Sequence, residues 1–219
     1  PKRAGLDSRP ATAISPGDYT RTSSLLRGVP TEVTLTEPRN GGASGERHVL
    51  KQKLESDRCY VLDRGYQSME LFNQIAATGS SYVCRIRESA RVEVIHERPF
   101  SEEARRQNIV HDAVVWLGGS QKQDHAVRVI TLQGTPHVKR SGHKGDAGPA
   151  SDGLLLIATN LLDVPVEIVA LLYQYRWQIE IFFRFFKCML GCSHLFSHHR
   201  HGIEIQVYCA ILACLLLSL

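Results

Sequence analysis

Five polar side chains with the chemistry to hold phosphate or a metal ion fall on one side of a single predicted helix. Residues 173–187 read YQYRWQIEIFFRFFK without Gly or Pro, which predicts part of a helix that begins near Asp163. At about 100° per residue, four of the five lie within about 60° of one another. These residues are Tyr173, Arg176, Glu180 and Lys187, with Arg184 beside them. The opposite side is apolar and aromatic, so we expect this polar stripe to be held against a core.

A second candidate carboxylate, Asp63, follows the short apolar run 59–62 and precedes a helical pattern over 69–75. A strand, an acidic loop and a helix in that order place a carboxylate at the carboxyl edge of a sheet. The alternative is a turn Asp that caps the next helix, with Gly65 in the turn. The polar stripe has an alternative too, because residues spaced four apart would form ordinary ion pairs on a solvated helix face.

The spacing of the stripe, Y-(2)-R-(3)-E-(6)-K, lies within a longer phrase that runs from TNLLDVP to RWQIEIFFRFFK. It resembles the signature of bacterial insertion-sequence transposases with a DDE catalytic triad, in the insertion sequence 4 family. By this resemblance Glu180 is the third metal-binding carboxylate of the triad. The phrase DRGY at 63–66 is similar to the one that holds the family's second catalytic Asp, and the strand predicted over 81–87 matches the strand that follows it.

The resemblance implies an α/β, ribonuclease H-like core that cuts and joins DNA by in-line attack at phosphorus, first by water and then by a 3′-hydroxyl. Asp63 and Glu180 would share two divalent ions, Mg²⁺ or Mn²⁺, about 3.5–4 Å apart. The implied partner is double-stranded DNA at transposon ends, and a homodimer in a synaptic complex is one assembly it allows. The implied location is the bacterial cytoplasm, with nucleoid association and no membrane. The residues that would bind DNA are Tyr173, Arg176, Lys187, Arg184 and Arg64.

The first Asp of the triad finds no match in the sequence. It should stand on the first core strand, ahead of Gly28 and beside Gly-Thr or Gly-Ser, but only Asp7 and Asp18 occur there and neither is followed by Gly. The resemblance therefore covers residues 25–219. We expect this chain to hold metal weakly and to cleave no DNA, because two carboxylates do not fix both ions for in-line attack. The alternative is a degenerate fragment that binds only DNA or a full-length partner. A general nuclease of the same fold explains the stripe less well.

The domain organisation follows from changes of pattern along 219 residues, which suffice for one sizeable core. Residues 1–28 are rich in Pro, Gly, Ser, Thr and Arg, and predict an irregular leader. The first part of the core spans 29–90, and a β-rich insertion with an exposed loop spans 91–150. Residues 151–219 carry the last core strand, the stripe helix and a truncated C-terminal helix.

The individual elements follow from periodicity. Residues 46–55 predict a helix, and Asp163 is the expected N-cap of the stripe helix, with Pro165 in its first turn. Strands are predicted near 31–36, 58–62, 81–87 and 154–159 in the core, and at 92–95, 109–117 and 126–132 in the insertion.

Composition bears on the partner, the state of the cysteines and the possibility of a membrane span. A formal charge of +4 and ten His suit a nucleic-acid partner without requiring one. The six Cys lie mostly in apolar runs and no signal peptide opens the chain, which favours reduced thiols. Residues 203–219 are apolar, but Glu204 and Gln206 leave a clean span shorter than the roughly 20 residues a bilayer needs, so we expect a core helix. The Cys and His residues between 188 and 201 fit zinc spacings poorly and favour a basic, DNA-facing loop.

Overall fold

The computed structural model describes residues 19–24, 29–35, 45–118, 123–134, 153–177, 181 and 199–217. The chain divides into two compact units, residues 51–176 and residues 1–50 together with 177–219. The strands are β1 (Tyr19–Ser24), β2 (Val29–Leu35), β3 (Cys59–Leu62), β4 (Ser81–Ile86), β5 (Val92–Glu97), β6 (Ile109–Leu117), β7 (Val127–Gln133) and β8 (Leu154–Thr159). The helices are α1 (Glu46–Gln52), α2 (Met69–Ala77), α3 (Glu102–Arg106), α4 (Val166–Tyr175) and α5 (Arg200–Leu217), with a 3-10 turn at Arg64–Tyr66.

A mixed six-stranded sheet forms the centre of the 51–176 unit, in the order β3-β4-β8-β7-β6-β5. β3 and β4 run parallel, and all the other neighbours are antiparallel. Parallel neighbours need a crossover connection, which α2 supplies between β3 and β4. The unit is therefore a mixed α/β structure in which the helical crossover leads from the edge strand β3 to its inner neighbour β4.

Helix α2 packs on one face of the sheet through Leu71, Phe72 and Ile75, all fully buried. The Phe72 ring stacks on the Tyr82 ring of β4, with centroids 4.3 Å apart. Past the end of the helix, Gly79 adopts a φ of +71°, a conformation that favours glycine and lets the chain turn into β4.

Helix α4 lies on the opposite face. Side chains alternate along a strand, so Tyr82 and Cys84 of β4 face away from Val83 and Arg85. Val83 belongs to the buried cluster that contains the inner side of α4. The buried members of this cluster are Val83, Ala104, Ile109, Ile130, Leu132, Ile157, Val166, Val169, Ala170 and Tyr173. The strands that supply the cluster come from both the predicted core and the predicted insertion.

In the other unit, β1 and β2 pair as an antiparallel two-stranded sheet, with Tyr19 opposite Leu35. Helix α5 buries Val207 and Ala210 and exposes apolar residues elsewhere along its length. Among the described residues, no helix combines the length and apolar character needed to cross a membrane.

Most predicted elements are present, and four expectations need correction. Residues 19–24 of the predicted irregular leader form β1, whose alternating Thr residues favour a strand. The predicted core strand near 31–36 exists as β2, but it pairs with β1 and lies outside the six-stranded sheet. The three insertion strands continue the same sheet as β8. Helix α4 begins at Val166 with Pro165 at the N-cap, so Asp163 does not cap it.

Candidate active site

Asp63 stands where the parallel pair β3 and β4 ends. Leu62 pairs with Cys84, so the next positions along the two strands are Asp63 and Arg85. In-register neighbours in a parallel pair point to the same face, and Val61 and Val83, two residues earlier, both pack against the cluster that contains α4. Strand alternation therefore directs Asp63 and Arg85 to the α4 side of the sheet.

The Asp63 carboxylate has no structural task among the described residues. Asp63 precedes the 3-10 turn, yet its side chain makes no capping hydrogen bond. The following helix α2 is capped instead by Ser68, whose hydroxyl accepts a hydrogen bond from the Leu71 amide at 3.4 Å. The interpretation of Asp63 as a helix cap is therefore wrong. Its side chain is exposed, whereas its backbone carbonyl is occupied by the Tyr66 amide and by the Cys84 thiol, at 2.9 and 3.6 Å.

Helix α4 brings Tyr173 and Arg176 towards this carboxylate. Burial raises the pKa of Tyr173, the Arg176 cation lowers it, the Asp63 carboxylate raises it further, and the Arg85 cation lowers it. Arg176, Asp63 and Arg85 therefore each lie near the Tyr173 side chain. The guanidinium of Arg176 lies over the Tyr173 ring, 5.4 Å from its centroid, so that the ring restricts the orientation of the cation.

The Tyr173 hydroxyl is buried and makes no hydrogen bond of full geometry among the described residues, although the Arg176 side chain lies close enough to interact with it and lower the pKa of Tyr173. An unsatisfied buried hydroxyl is costly, and such groups concentrate where a ligand completes the network. The same carboxylate also acts on Cys84, because burial raises the pKa of this thiol and the charge of Asp63 raises it further. Asp63 therefore influences groups on both sides of the sheet from its position at the strand end.

Arg85 is a further candidate site residue, which the sequence predictions missed. It is half-buried at the end of β4, beside Asp63 in register. Part of the evidence was present in the sequence. Ser81, Val83 and Arg85 lie on the same face of the predicted strand, and Arg85 is the charged residue among them. Arg64, which was predicted, is exposed in the 3-10 turn directly after Asp63.

The other predicted site residues lie outside the described residues. These are Glu180, Arg184 and Lys187, and the same holds for most of the Cys and His residues between 188 and 201. Where the structure does describe the chain, no three His, Cys, Asp or Glu side chains gather in a metal-binding group. Asp63 itself suits a hard divalent cation, since it offers exposed carboxylate oxygens that no described residue engages.

Comparison with known proteins shows the family of this chain. Residues 24–217 match the family model of the transposase DDE domain. The chain belongs to the DDE transposase family. A candidate transposase of Sinorhizobium fredii is 27% identical over 169 residues, covering 76% of this chain and 43% of the relative. A probable transposase for an insertion sequence element of Geobacillus stearothermophilus is 25% identical over 187 residues, covering 84% of this chain and 44% of the relative.

This DDE transposase chain spans less than half the length of the relatives it matches. The third of them, a candidate transposase for an insertion sequence element of Synechocystis, is 24% identical over 160 residues, which cover 73% of the chain and 40% of the relative. The family match begins close to the start of the predicted resemblance at residue 25 and includes both Asp63 and the polar stripe.

Proposed function

We propose that this chain carries two of the three catalytic carboxylates of an insertion sequence 4-type transposase, Asp63 and Glu180, on a ribonuclease H-like core. Its reaction is the metal-dependent cleavage and transfer of DNA strands at transposon ends. The observation that carries the proposal is the exposed Asp63 carboxylate at the end of β3, on the side of the sheet where α4 presents Tyr173 and Arg176. The family match supports it independently.

The metal ligands in this proposal are Asp63 and Glu180. A bound pair of Mg²⁺ or Mn²⁺ ions would activate the attacking oxygen and stabilise the leaving one. Asp63 contributes hard oxygen atoms without giving up a cap or an ion pair to any described residue. Because binding a cation costs this part of the fold no existing interaction, we expect Asp63 to engage metal without local rearrangement.

The DNA contacts in this proposal surround Asp63. Arg176 is restricted by the Tyr173 ring, which favours a bidentate contact with one phosphate. The Tyr173 hydroxyl is covered in the free chain, and it would gain a hydrogen-bond partner on a sugar or phosphate oxygen when bound DNA displaces the groups over it. Arg64 is exposed beside Asp63 and suits a neighbouring phosphate. By the family resemblance, Arg184 and Lys187 extend the same backbone contacts, and two chains would join the two transposon ends.

The third carboxylate has a natural place beside β3. This strand is at the end of the strand order, so its outer edge has no partner among the described strands. An exposed edge is a template for another strand. A strand that pairs there would run past Asp63, and an Asp on it would complete the ligand set that two ions require.

Strand cleavage is the test. The 219-residue chain and a version extended upstream in frame by the strand that carries the first Asp are each incubated with end-sequence duplex and Mn²⁺. We expect both to bind the duplex and only the extended version to cut it. Asp63→Asn and Glu180→Gln should abolish cutting in the extended version, whereas Glu93→Gln, on β5 at the opposite edge of the sheet, should leave it unchanged.

The outcomes separate the candidate functions. Cutting that survives Asp63→Asn would refute the assignment of this carboxylate. Cutting by the 219-residue chain that disappears in Glu180→Ala would show that another group supplies the third ligand. Binding without cutting in both versions would support the alternative of a degenerate fragment that only binds DNA or a full-length partner.

A further inference from the structure

A buried ion pair joins the strands of the predicted insertion to the loop that precedes α4. Arg128 on β7 and Asp112 on β6 are only 2% and 1% exposed. Nε and Nη2 of Arg128 donate to Oδ1 and Oδ2 of Asp112, at 2.7 and 2.6 Å. The two-point geometry fixes the plane of the guanidinium and leaves Nη1 directed elsewhere.

The Nη1 group of Arg128 is directed at the loop between β8 and α4. It donates hydrogen bonds to the backbone carbonyls of Leu161 and Val164, at 3.2 and 2.5 Å. Val164 lies two residues before the first residue of α4. The backbone just before the helix is therefore hydrogen-bonded to the Arg128 guanidinium, which Asp112 holds in a fixed orientation in the sheet.

Other contacts hold the same loop and helix. The Thr159 hydroxyl accepts a hydrogen bond from the Leu161 amide at 3.1 Å, and the Asn160 side chain bridges to the backbone of Ser80 and Tyr82. On the other side, the Ser101 hydroxyl donates to the Glu167 carboxylate in the first turn of α4, at 2.8 Å. Arg128 is the member of this set that is both charged and buried, so its bonds are the costliest to leave unmade.

We propose that Arg128 is a positioning residue for the DNA-binding end of α4, which depends on the function proposed above. A helix is stiff along its axis, so fixing the backbone at Val164 fixes Tyr173 and Arg176 about two to three turns later. Arg128 touches neither DNA nor metal in this role. It holds the loop, and the loop sets where Tyr173 and Arg176 stand relative to Asp63.

Two variants of this buried ion pair separate the effect on folding stability from the effect on the position of α4. Replacing both partners by apolar residues, Arg128→Met with Asp112→Leu, is often neutral or stabilising, because no fully buried charge remains. Arg98, whose Nε lies 3.9 Å from Asp112 Oδ2, is 30% exposed and keeps contact with water in this variant. This double variant loses both hydrogen bonds to the loop carbonyls. Asp112→Asn leaves Arg128 and its loop contacts in place, keeps an acceptor oxygen, and removes the charge that compensates the buried guanidinium.

We therefore expect the affinity for end-sequence duplex to depend on whether Arg128 still holds the loop before α4, and not on the folding stability of the variant. The double variant should keep its urea midpoint while its affinity falls about tenfold, and we expect a loss of the same size for Arg176→Ala. Asp112→Asn should unfold at lower urea concentration and keep its affinity within about twofold. Hydrogen exchange should accelerate at the Ile168 and Val169 amides, which bond to the Pro165 carbonyl, in the double variant and not in Asp112→Asn.

Three outcomes are decisive. Unchanged affinity and unchanged exchange in the folded double variant would overturn the positioning role. Affinity that falls with stability across both variants would show that the pair is only structural. If the wild-type chain binds no end duplex at low salt, the proposed function fails, and the exchange of the α4 amides alone then decides whether Arg128 anchors the helix.

Discussion

Removing the buried hydroxyl of Tyr173 is expected to stabilise the fold, whereas most single substitutions destabilise a protein. Tyr173→Phe removes only this hydroxyl, which is buried and makes no hydrogen bond of full geometry among the described residues, the nearby Arg176 side chain included. Leaving such a group unsatisfied costs a folded protein about 1–3 kcal/mol, because its hydrogen bonds to water are lost without replacement. We therefore expect Tyr173→Phe to raise the free energy of unfolding by on the order of 1 kcal/mol.

Tyr82 provides the matched control. It is also a buried Tyr, but its hydroxyl lies 3.0 Å from Nε2 of His125, whose Nδ1 contacts Asp124 at 2.8 Å. Tyr82→Phe keeps the ring that stacks on Phe72 and loses this hydrogen bond, which costs about 0.5–1.5 kcal/mol. The same chemical change is thus expected to stabilise at one position and destabilise at the other.

Urea unfolding measures the difference. With a slope of about 1–3 kcal/mol per molar urea, a difference of about 2 kcal/mol between the two variants separates their midpoints by about 1 M. Fluorescence anisotropy then measures binding to end-sequence duplex, where Tyr173→Phe should weaken affinity by up to about tenfold and Tyr82→Phe should not. If Tyr173→Phe destabilises the chain as much as Tyr82→Phe does, the Tyr173 hydroxyl already has a partner in the folded protein and is not reserved for DNA.

Three further predictions concern pH, packing and charge. Burial and the Asp63 charge raise the pKa of Cys84 above its ordinary value of 9.0, so the folded state retains a proton that the unfolded state releases. Stability should be complete below about pH 9 and fall above it by up to about 1.4 kcal/mol per pH unit, and Cys84→Ala should reduce that slope in urea unfolding. Ile157→Ala, in the middle of the sheet, should cost about 2–5 kcal/mol, whereas Ile168→Ala, at a residue 45% exposed, should cost under about 0.5 kcal/mol; equal losses would contradict the described core. Affinity for end duplex should fall steeply with salt, and Arg176→Ala should reduce the slope of log K against log salt by about 1, whereas Arg105→Ala on α3 should not.

Local patterns predicted where most strands and helices lie. The runs at 109–117 and 154–159 match β6 and β8 to the residue, because each is an apolar or alternating segment bounded by turn residues. The pairing of strands was harder to predict. Nothing in the alternation of β2 shows that it pairs with β1 outside the larger sheet, since strand pairing depends on contacts distant in sequence.

In the candidate site, too, local sequence patterns predicted some residues, and only the assembled sheet shows the others. Asp63 could be proposed because a strand, an acidic loop and a helix follow one another in the sequence, and the structure removed the alternative of a helix cap by giving that task to Ser68. Arg85 was missed because its importance comes from the register between β3 and β4. Arg128 and Asp112 were missed because charged residues within a strand suggest a solvated face, and only the sheet as a whole buries them.

The separation of the Asp63 and Glu180 carboxylates, in crystals of the extended version soaked with Mn²⁺, tests the assignment of the metal site most directly. We predict that anomalous scattering will place Mn²⁺ against Asp63. The Asp63 and Glu180 carboxylates should lie within about 12 Å of each other, because two ions about 4 Å apart and their ligands span no more than that distance. Carboxylates farther apart than about 12 Å, or Mn²⁺ bound to neither residue, would contradict the assignment.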